Sequence, residues 1–168
     1  MSKLGLGIVT GTIFLYGCAG MGTHRPAAQA TLQPTRDNAA RGNVTFTPAG
    51  DKLVVMANVS GLAPGPHGFH IHEHGDCSAA DGSSAGEHFN PDQRPHGPSY
   101  REGGHAGDLG NLIADSSGVA QALFEVDGLT LDNVVGHSVI VHANGDDLVS
   151  QPSGDAGPRL ACGPIALQ

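Results

Sequence analysis

Apolar and polar residues alternate over short stretches of this chain, which is typical of half-buried β-strands. Residues 53–59, Leu-Val-Val-Met-Ala-Asn-Val, form one such stretch. The others lie at 28–35, 43–47, 68–72, 111–114, 119–126, 138–142 and 160–165. Turn residues separate them, as in Pro48-Ala49-Gly50-Asp51. With no clear helical period, the pattern predicts an all-β antiparallel sandwich or barrel of about eight strands.

One internal region does not follow this pattern. Residues 75–108 are rich in glycine, proline, aspartate and serine, and they contain several histidines. A loop this long inside a compact domain is usually functional or disordered. We expect an ordered loop, because a bound metal and a crosslink at Cys77 would offset the entropy lost on ordering.

The first residues are typical of an export signal. Lys3 precedes an apolar stretch at 4–17 that is shorter than the roughly 20 residues of a membrane-spanning helix. Leu15-Tyr16-Gly17-Cys18 resembles the lipobox of bacterial lipoproteins, whose cysteine is lipidated; an ordinary cleaved signal is the alternative. In either case we expect an exported protein, with a signal at 1–17, a tether at 18–27 and one folded domain at 28–168.

Charge and cysteine content narrow the chemistry. The formal net charge is −8, so nucleic acid and anionic membrane surfaces are poor partners. The chain has three cysteines, an odd number for an exported protein. If Cys18 carries lipid, Cys77 and Cys162 remain, and a disulfide between them would contribute roughly 2–4 kcal/mol. Two free buried thiols are the alternative.

Seven side chains suited to Zn²⁺ or Cu²⁺ lie close together in the sequence. They are His70, His72, His88, His96, His105, Asp108 and His142. In His70-Ile71-His72 the two imidazoles share one face of a strand, with Cα atoms roughly 6–7 Å apart, so both can reach one ion. His142 ends another apolar strand and could supply a third nitrogen.

The other ligands form a second candidate set in the long loop. His88, His96, His105 and Asp108 are separated by eight, nine and three residues. Three imidazoles and one carboxylate make a closed tetrahedral set, as expected for structural zinc. A solvated loop with accidental histidines is the alternative. Seven ligands suffice for two adjacent metals if one histidine is shared.

Four segments carry a resemblance to a known family. They are Gly68-Phe69-His70-Ile71-His72-Glu73, His88-Phe89-Asn90-Pro91, Gly107-Asp108-Leu109-Gly110-Asn111 and Arg159-Leu160-Ala161-Cys162-Gly163. They look like the signature segments of copper/zinc superoxide dismutases. The similarity extends from about residue 28 to the C-terminus, and residues 65–77 are most similar to the bacterial periplasmic members.

The resemblance implies a flattened eight-stranded Greek-key β-barrel with two long functional loops. It also implies one copper and one zinc per chain, with disproportionation of superoxide to oxygen and hydrogen peroxide. Copper would be the redox metal and zinc the structural one. The implied copper ligands are His70, His72, His88 and His142, and the implied zinc ligands are His88, His96, His105 and Asp108. His88 would bridge both ions as an imidazolate.

The resemblance also assigns roles beside the metals. Asp146 matches a carboxylate that links a copper histidine, here His70, to a zinc histidine, here His96, and so fixes both rings. Arg159 matches an arginine that attracts and orients the anionic substrate, and it is counted with His88 as catalytic. Since residues 147–159 contain no lysine or glutamate, further steering must come from Arg94 or Arg101.

Location, partners and rival functions complete these expectations. We expect a lipid-anchored protein of the periplasm or cell envelope; a homodimer is compatible with this, although the sequence does not determine oligomeric state. One rival is a non-catalytic copper- or zinc-binding protein on the same scaffold. Another is a zinc hydrolase that uses His70 and His72, which would need a general base, and Glu73 alternates to the opposite face. The remaining histidines are expected to be structural or exposed: His24, His67, His74 and His137.

Overall fold

The architecture is all-β, as predicted. A computed structural model describes residues 27–168, so the predicted signal, Cys18 and almost all of the predicted tether lie outside the described residues. The strands are β1 (Ala28–Pro34), β2 (Arg41–Ala49), β3 (Lys52–Ser60), β4 (Gly65–His72), β5 (Asp108–Ala114), β6 (Ala120–Asp127), β7 (Ser138–His142) and β8 (Arg159–Leu167). Within residues 27–168, none of the helices is long and apolar enough to cross a membrane.

The eight strands form one closed antiparallel barrel in the order β1-β2-β3-β6-β5-β4-β7-β8. β1, β2 and β3 are joined as hairpins, whereas β3 pairs with β6 and β4 pairs with β7. Closure leaves no unpaired sheet edge, which would otherwise be a template for aggregation. This order places β4 between β5 and β7, and all three strands contribute candidate metal ligands.

Alternation along the strands builds the core. Val44 and Phe46 on β2, Val55 on β3, and Phe69 and Ile71 on β4 are all fully buried. Each such side chain contributes roughly 1.5–3 kcal/mol when it leaves water. Since tryptophan is absent from the chain, small aliphatic residues fill much of the remaining interior.

The structure departs from the sequence pattern in several places. A one-turn helix, α1 (Leu131–Val134), lies in the region predicted to be only a separator, with Leu131 and Val134 buried. Two 3₁₀ turns, Ser83–Ala85 and Tyr100–Glu102, interrupt the predicted loop. β2, β4 and β5 also begin earlier than predicted, at Arg41, Gly65 and Asp108. A single turn is too short to show a helical period, which explains the missed helix.

Candidate metal centre

The first group of ligands is presented by neighbouring strands. His70 and His72 lie on the outer face of β4, while Ile71 between them points into the barrel core. β7 pairs with β4 and ends at His142, where the β7–β8 register shifts. These three rings and His88 bring one ligand atom each within 4.8 Å of one another.

Backbone carbonyl groups orient two of these rings. His72 Nδ1 donates to the Gly86 carbonyl oxygen at 2.9 Å, and His142 Nδ1 donates to the Gly157 carbonyl oxygen at 3.0 Å. A neutral imidazole that donates from Nδ1 carries its lone pair on Nε2. The two Nε2 atoms lie 3.4 Å apart. Two lone pairs facing each other are unfavourable without a cation between them, so the arrangement fits a metal ion.

The second group is assembled by loop segments that pair with the end of β4. The Ile71 amide donates to the Gly107 carbonyl oxygen at 2.9 Å, and the Phe89 amide donates to the Ile71 carbonyl oxygen at 2.9 Å. His72 and His88 form an isolated antiparallel bridge. The backbone of β4 therefore fixes the middle and the C-terminal end of the 75–108 region and brings loop histidines beside strand histidines.

Asp108 is the centre of the second group. Its Oδ1 atom lies 2.8, 3.1 and 3.3 Å from the Nδ1 atoms of His88, His96 and His105. Its Oδ2 atom accepts from the amides of Gly97 and His105 at 3.1 and 2.8 Å. Burial alone would raise the pKa of Asp108, but the His88 ring and these amides outweigh it and lower the pKa. The carboxylate is thus charged and ready to bind a cation.

His88 belongs to both groups. Its Nδ1 atom faces Asp108 and lies 3.4 Å from His105 Nδ1. Its Nε2 atom is buried without a hydrogen-bond partner among the described residues. The ring also stacks on that of His70, with centroids 4.0 Å apart. One nitrogen is therefore available to each group, as a ligand shared between two ions requires.

A buried carboxylate links the two groups from behind. Asp146 Oδ2 lies 2.8 Å from His70 Nε2, and Asp146 Oδ1 lies 2.9 Å from His96 Nε2. In both histidines this leaves Nδ1 unpartnered by hydrogen bonds and buried. Gly154, with φ +66°, passes so close to Asp146 that a Cβ atom there would lie 1.8 Å from Oδ1. Only glycine fits at this approach.

Burial lowers the pKa of four of the ligand rings. Desolvation is the main cause that lowers the pKa of His70 and His72 well below 6.5, and it lowers the pKa of His142 to about 4. The pKa of His105 is lowered for the same main reason. Since metals bind neutral imidazole, rings that resist protonation at neutral pH are suited to ligation.

Arg159 lies beside the first group. Its Nη1 and Nη2 atoms donate to the carbonyl oxygens of Gly82 and Gly86 at 2.7 and 2.6 Å. The Gly86 oxygen is also the one that orients His72. The disulfide between Cys77 and Cys162 is confirmed, and it ties this loop to β8 with Cα atoms 5.7 Å apart. The structure thus couples the crosslink, the guanidinium and a ligand ring through one short segment.

Several contacts around the site could not be predicted from the sequence, although Asn111 itself lies in one of the family-like segments. Gln151 joins the two loops: it accepts from the His96 amide at 2.8 Å and donates to the His96 carbonyl oxygen at 3.0 Å. Asn111 bonds the Asp146 backbone in both directions, at 2.7 and 2.9 Å. Spacing and residue type alone mark neither residue as part of a site, because both contacts join segments far apart in sequence.

The other histidines outside the ligand groups lie as follows. His67 contacts the carbonyl oxygens of His142 and Ala63 at 2.7 and 2.8 Å. His74 is exposed and belongs to neither ligand group. His137 donates to the Glu73 carbonyl oxygen and packs on the Phe89 ring. His24 lies outside the described residues.

The donor set fits two different metals. In the first group, four imidazoles and no thiolate suit copper in both of its common oxidation states. In the second, three imidazoles and a charged carboxylate suit tetrahedral zinc. The orphaned nitrogens of His70, His88 and His96 are costly to bury unless an ion satisfies them.

Comparisons with known proteins agree with this geometry. The family model described as copper/zinc superoxide dismutase (SODC) matches residues 40–165. Superoxide dismutase [Cu-Zn] 3 of Arabidopsis thaliana is 44% identical over 142 residues, covering 79% of this chain and 86% of that protein. The extracellular superoxide dismutases [Cu-Zn] of Onchocerca volvulus and Drosophila melanogaster are 37% and 41% identical, covering 87% and 76% of this chain and 80% and 76% of those proteins. The chain therefore belongs to the copper/zinc superoxide dismutase family, whose enzymes use copper and zinc to convert superoxide to oxygen and hydrogen peroxide.

Proposed function

We propose that the two ligand groups are the copper site and the zinc site of this enzyme. Copper is assigned to His70, His72, His88 and His142, and zinc to His88, His96, His105 and Asp108. The observation that carries the assignment is the double membership of His88, with Nδ1 in one group and an unpartnered Nε2 left for the other. Copper would supply the one-electron exchange with superoxide, and zinc a fixed charge without redox chemistry.

His88 is proposed to carry a proton as well as to bind metals. Dismutation consumes protons, and a ring nitrogen beside the reacting oxygen can deliver one of them. His88 Nε2, the nitrogen on the side of the copper group, is the ring atom that could take up a proton. Nδ1 would stay in place on the side of the zinc group. The 3% exposure of its side chain limits exchange with bulk water at this atom.

Asp146 is proposed to position the rings of His70 and His96. Its two oxygens hold one Nε2 atom each, which sets the tautomer so that both Nδ1 atoms carry lone pairs toward the metals. The carboxylate is itself held by the Leu148 amide at 2.6 Å and through the Asn111 contacts to the Asp146 backbone. Asp146 therefore acts through the ligands and contacts neither metal nor substrate.

Arg159 is proposed to attract and orient superoxide. Burial is the main cause that lowers the pKa of His72 and His142, and the positive charge of Arg159 is a further cause. The electric field of the guanidinium therefore reaches both rings. Arg94 and Arg101, the other candidates for steering, each lie 3.1 Å from a carboxylate oxygen, of Asp92 and Asp127 respectively. Paired charges of this kind offer little net attraction to an anion, so Arg159 takes the main part.

The test of this assignment is removal of one strand ligand. His142→Ala is expected to abolish dismutation and copper binding while zinc binding persists, because His142 belongs only to the first group. Activity is measured by superoxide decay, and both metals by elemental analysis. His74→Ala, at an exposed histidine, is the matched control and keeps full activity. Wild-type turnover in His142→Ala would refute the copper assignment.

We further propose that the enzyme is exported and anchored by lipid at Cys18, and that it protects the cell envelope. The support is the sequence pattern of a signal at 1–17, a tether at 18–27 and a domain at 28–168. The disulfide, typical of oxidising compartments, and the word "extracellular" in two relatives' names also favour export. The similarity of residues 65–77 to bacterial periplasmic members favours the periplasm. A homodimer stays a prediction, for light scattering to measure.

Fractionation of cells tests the anchor. Cys18→Ser is expected to move the protein from the membrane fraction to the soluble exported fraction without loss of specific activity, since the lipid contributes nothing to the metal centre. The unaltered protein in the same cells is the control. A variant that stays in the membrane fraction would contradict lipidation at Cys18.

A further inference from the structure

A cleft of about 480 Å³ opens onto the second ligand group. His88 and His105, both buried, line it together with the exposed residues Glu73 and Glu87. His70, His72 and His142 are not among its lining residues. This cleft therefore leads to the proposed zinc ligands rather than to the strand-borne group.

The two glutamates are held side by side by the backbone. The Glu73 amide donates to the Glu87 carbonyl oxygen at 2.9 Å, next to the bridge between His72 and His88. The Glu87 amide in turn lies 3.4 Å from Glu73 Oε2. Glu73 directly follows the ligand His72, and Glu87 directly precedes the ligand His88. Both carboxylates therefore lie at the same rim of the cleft.

The cleft also has a receptor for a cation. The rings of His88 and His105 line it, and their Nδ1 atoms lie 3.4 Å apart and 2.8 and 3.3 Å from Asp108 Oδ1. Arg94 is the basic residue in the lining, and its Nη2 atom lies 3.1 Å from Asp92 Oδ2, which offsets its charge. The rim is therefore net negative, with metal-binding nitrogens below it.

We propose that Glu73 and Glu87 capture zinc at the rim and pass it to His88 and His105 when the enzyme is loaded with metal. The proposal rests on the zinc assignment made above. A buried metal site requires an entry path, and a cleft lined by one sign of charge raises the local concentration and on-rate of the opposite ion by about 10- to 1,000-fold.

The charge of Glu87 would have the opposite effect on an anionic substrate. Burial lowers the pKa of Arg159, and Glu87 and Asp81 raise it, so Glu87 acts on the guanidinium proposed to attract superoxide. A carboxylate here does not help an anion to approach. A carboxylate at the cleft rim would attract a cation, so its position favours a role in metal loading over a role in steering superoxide.

Zinc uptake by the metal-stripped full-length chain tests the proposal. The double variant Glu73→Gln/Glu87→Gln is expected to take up zinc about tenfold more slowly at low ionic strength, as measured by stopped-flow competition with a zinc-sensitive dye. The difference should shrink in high salt, where exposed charges are screened. The equilibrium affinity should change much less, because the four ligands are intact.

A matched control removes the same charge elsewhere. Asp51→Asn/Asp132→Asn alters two exposed residues, in the β2–β3 turn and in α1, and should leave the uptake rate at the wild-type value. Equal rates in both double variants would overturn the proposal while the zinc assignment stands. Slow uptake that salt does not change, with weakened affinity, would also overturn it and assign the glutamates a structural role. An unaltered chain that binds no zinc at all would instead refute the zinc assignment itself.

Discussion

The two ligand groups differ in what holds them. His70, His72 and His142 project from paired strands whose register is set by the barrel. His88, His96 and His105 come from a long loop, and Asp108 gathers them as the first residue of β5. Strand ligands are placed by the same hydrogen bonds that make the fold, whereas loop ligands depend on the carboxylate, the crosslink and the metal. The three strand ligands of the first group are therefore pre-organised, whereas its fourth ligand, His88, and the second group are conditional.

Replacement of Asp108 should give the largest difference between the two ligand groups. Asp108→Asn is expected to weaken zinc binding by more than about 100-fold, the upper range for loss of a supporting contact alone, because a ligand and its charge are both removed. Copper binding should fall less, since Asp108 is not in the first group. Metal content after dialysis measures both.

The matched control for this change is Asp132→Asn, at an exposed position in α1. It should bind both metals as the unaltered protein does. Equal losses of copper and zinc in Asp108→Asn would show that the two groups are not separable, and the distinction between pre-organised and conditional ligands would then fail.

The disulfide offers a second way to separate the regions. Replacing both Cys77 and Cys162 by serine should lower the free energy of unfolding by roughly 2–5 kcal/mol. Amide exchange should rise mostly in the loop around Ser83–Ala85 and much less in β4 and β7, whose bonds belong to the barrel ladder. Denaturant unfolding and hydrogen exchange measure the two effects.

Reductant serves as the control for the crosslink. It should destabilise the unaltered protein and have no further effect on the double serine variant. A uniform rise in exchange across the barrel would mean that the crosslink supports the whole fold, and it would contradict a role confined to the loop.

Acid gives the most graded effect. In the metal-free protein the folded pKa of His142 is about 4, mainly through burial, below the ordinary 6.5. The folded state then binds fewer protons than the unfolded state between these values. Stability is therefore full above about pH 6.5 and is lost as the pH falls toward 4, by up to about 1.4 kcal/mol per pH unit for this group.

Denaturant unfolding of the metal-free chain at several pH values between 7 and 4 measures this slope. His142→Gln, which cannot titrate, should show a shallower slope than the unaltered chain. Identical slopes would indicate that His142 takes no part, and that burial does not keep this strand ligand neutral.

Local pattern predicted much of the fold and of the ligand list. Alternation along β3 and the continuous apolar run in β7 were enough to locate these strands, because β3 buries one face and β7 is buried on both. Spacing in the loop separated the histidines near Asp108 from those on β4. The one-turn α1 was missed because a single turn shows no periodicity, and the start of β4 was misplaced because Pro66 reads as a turn residue.

Other features depend on chain segments that are distant in sequence. Gln151 bonds the backbone of His96, and Asn111 bonds that of Asp146. Neither residue type nor spacing marks these pairs, because the folded barrel alone brings them into reach. The pairing of Glu73 with Glu87 is of the same kind, since a backbone bridge between β4 and the loop creates the acidic rim.

Residue order thus specified which side chains could bind metals, since ligand chemistry and strand periodicity are local properties. It did not specify which nitrogen of each ring would be left free. That choice belongs to the folded chain, because the Gly86, Gly157 and Asp146 oxygens that occupy the other nitrogens arrive from separate loops. The hydrogen-bond partner of one ring nitrogen determines that the other nitrogen keeps its lone pair, and only the tertiary structure supplies that partner.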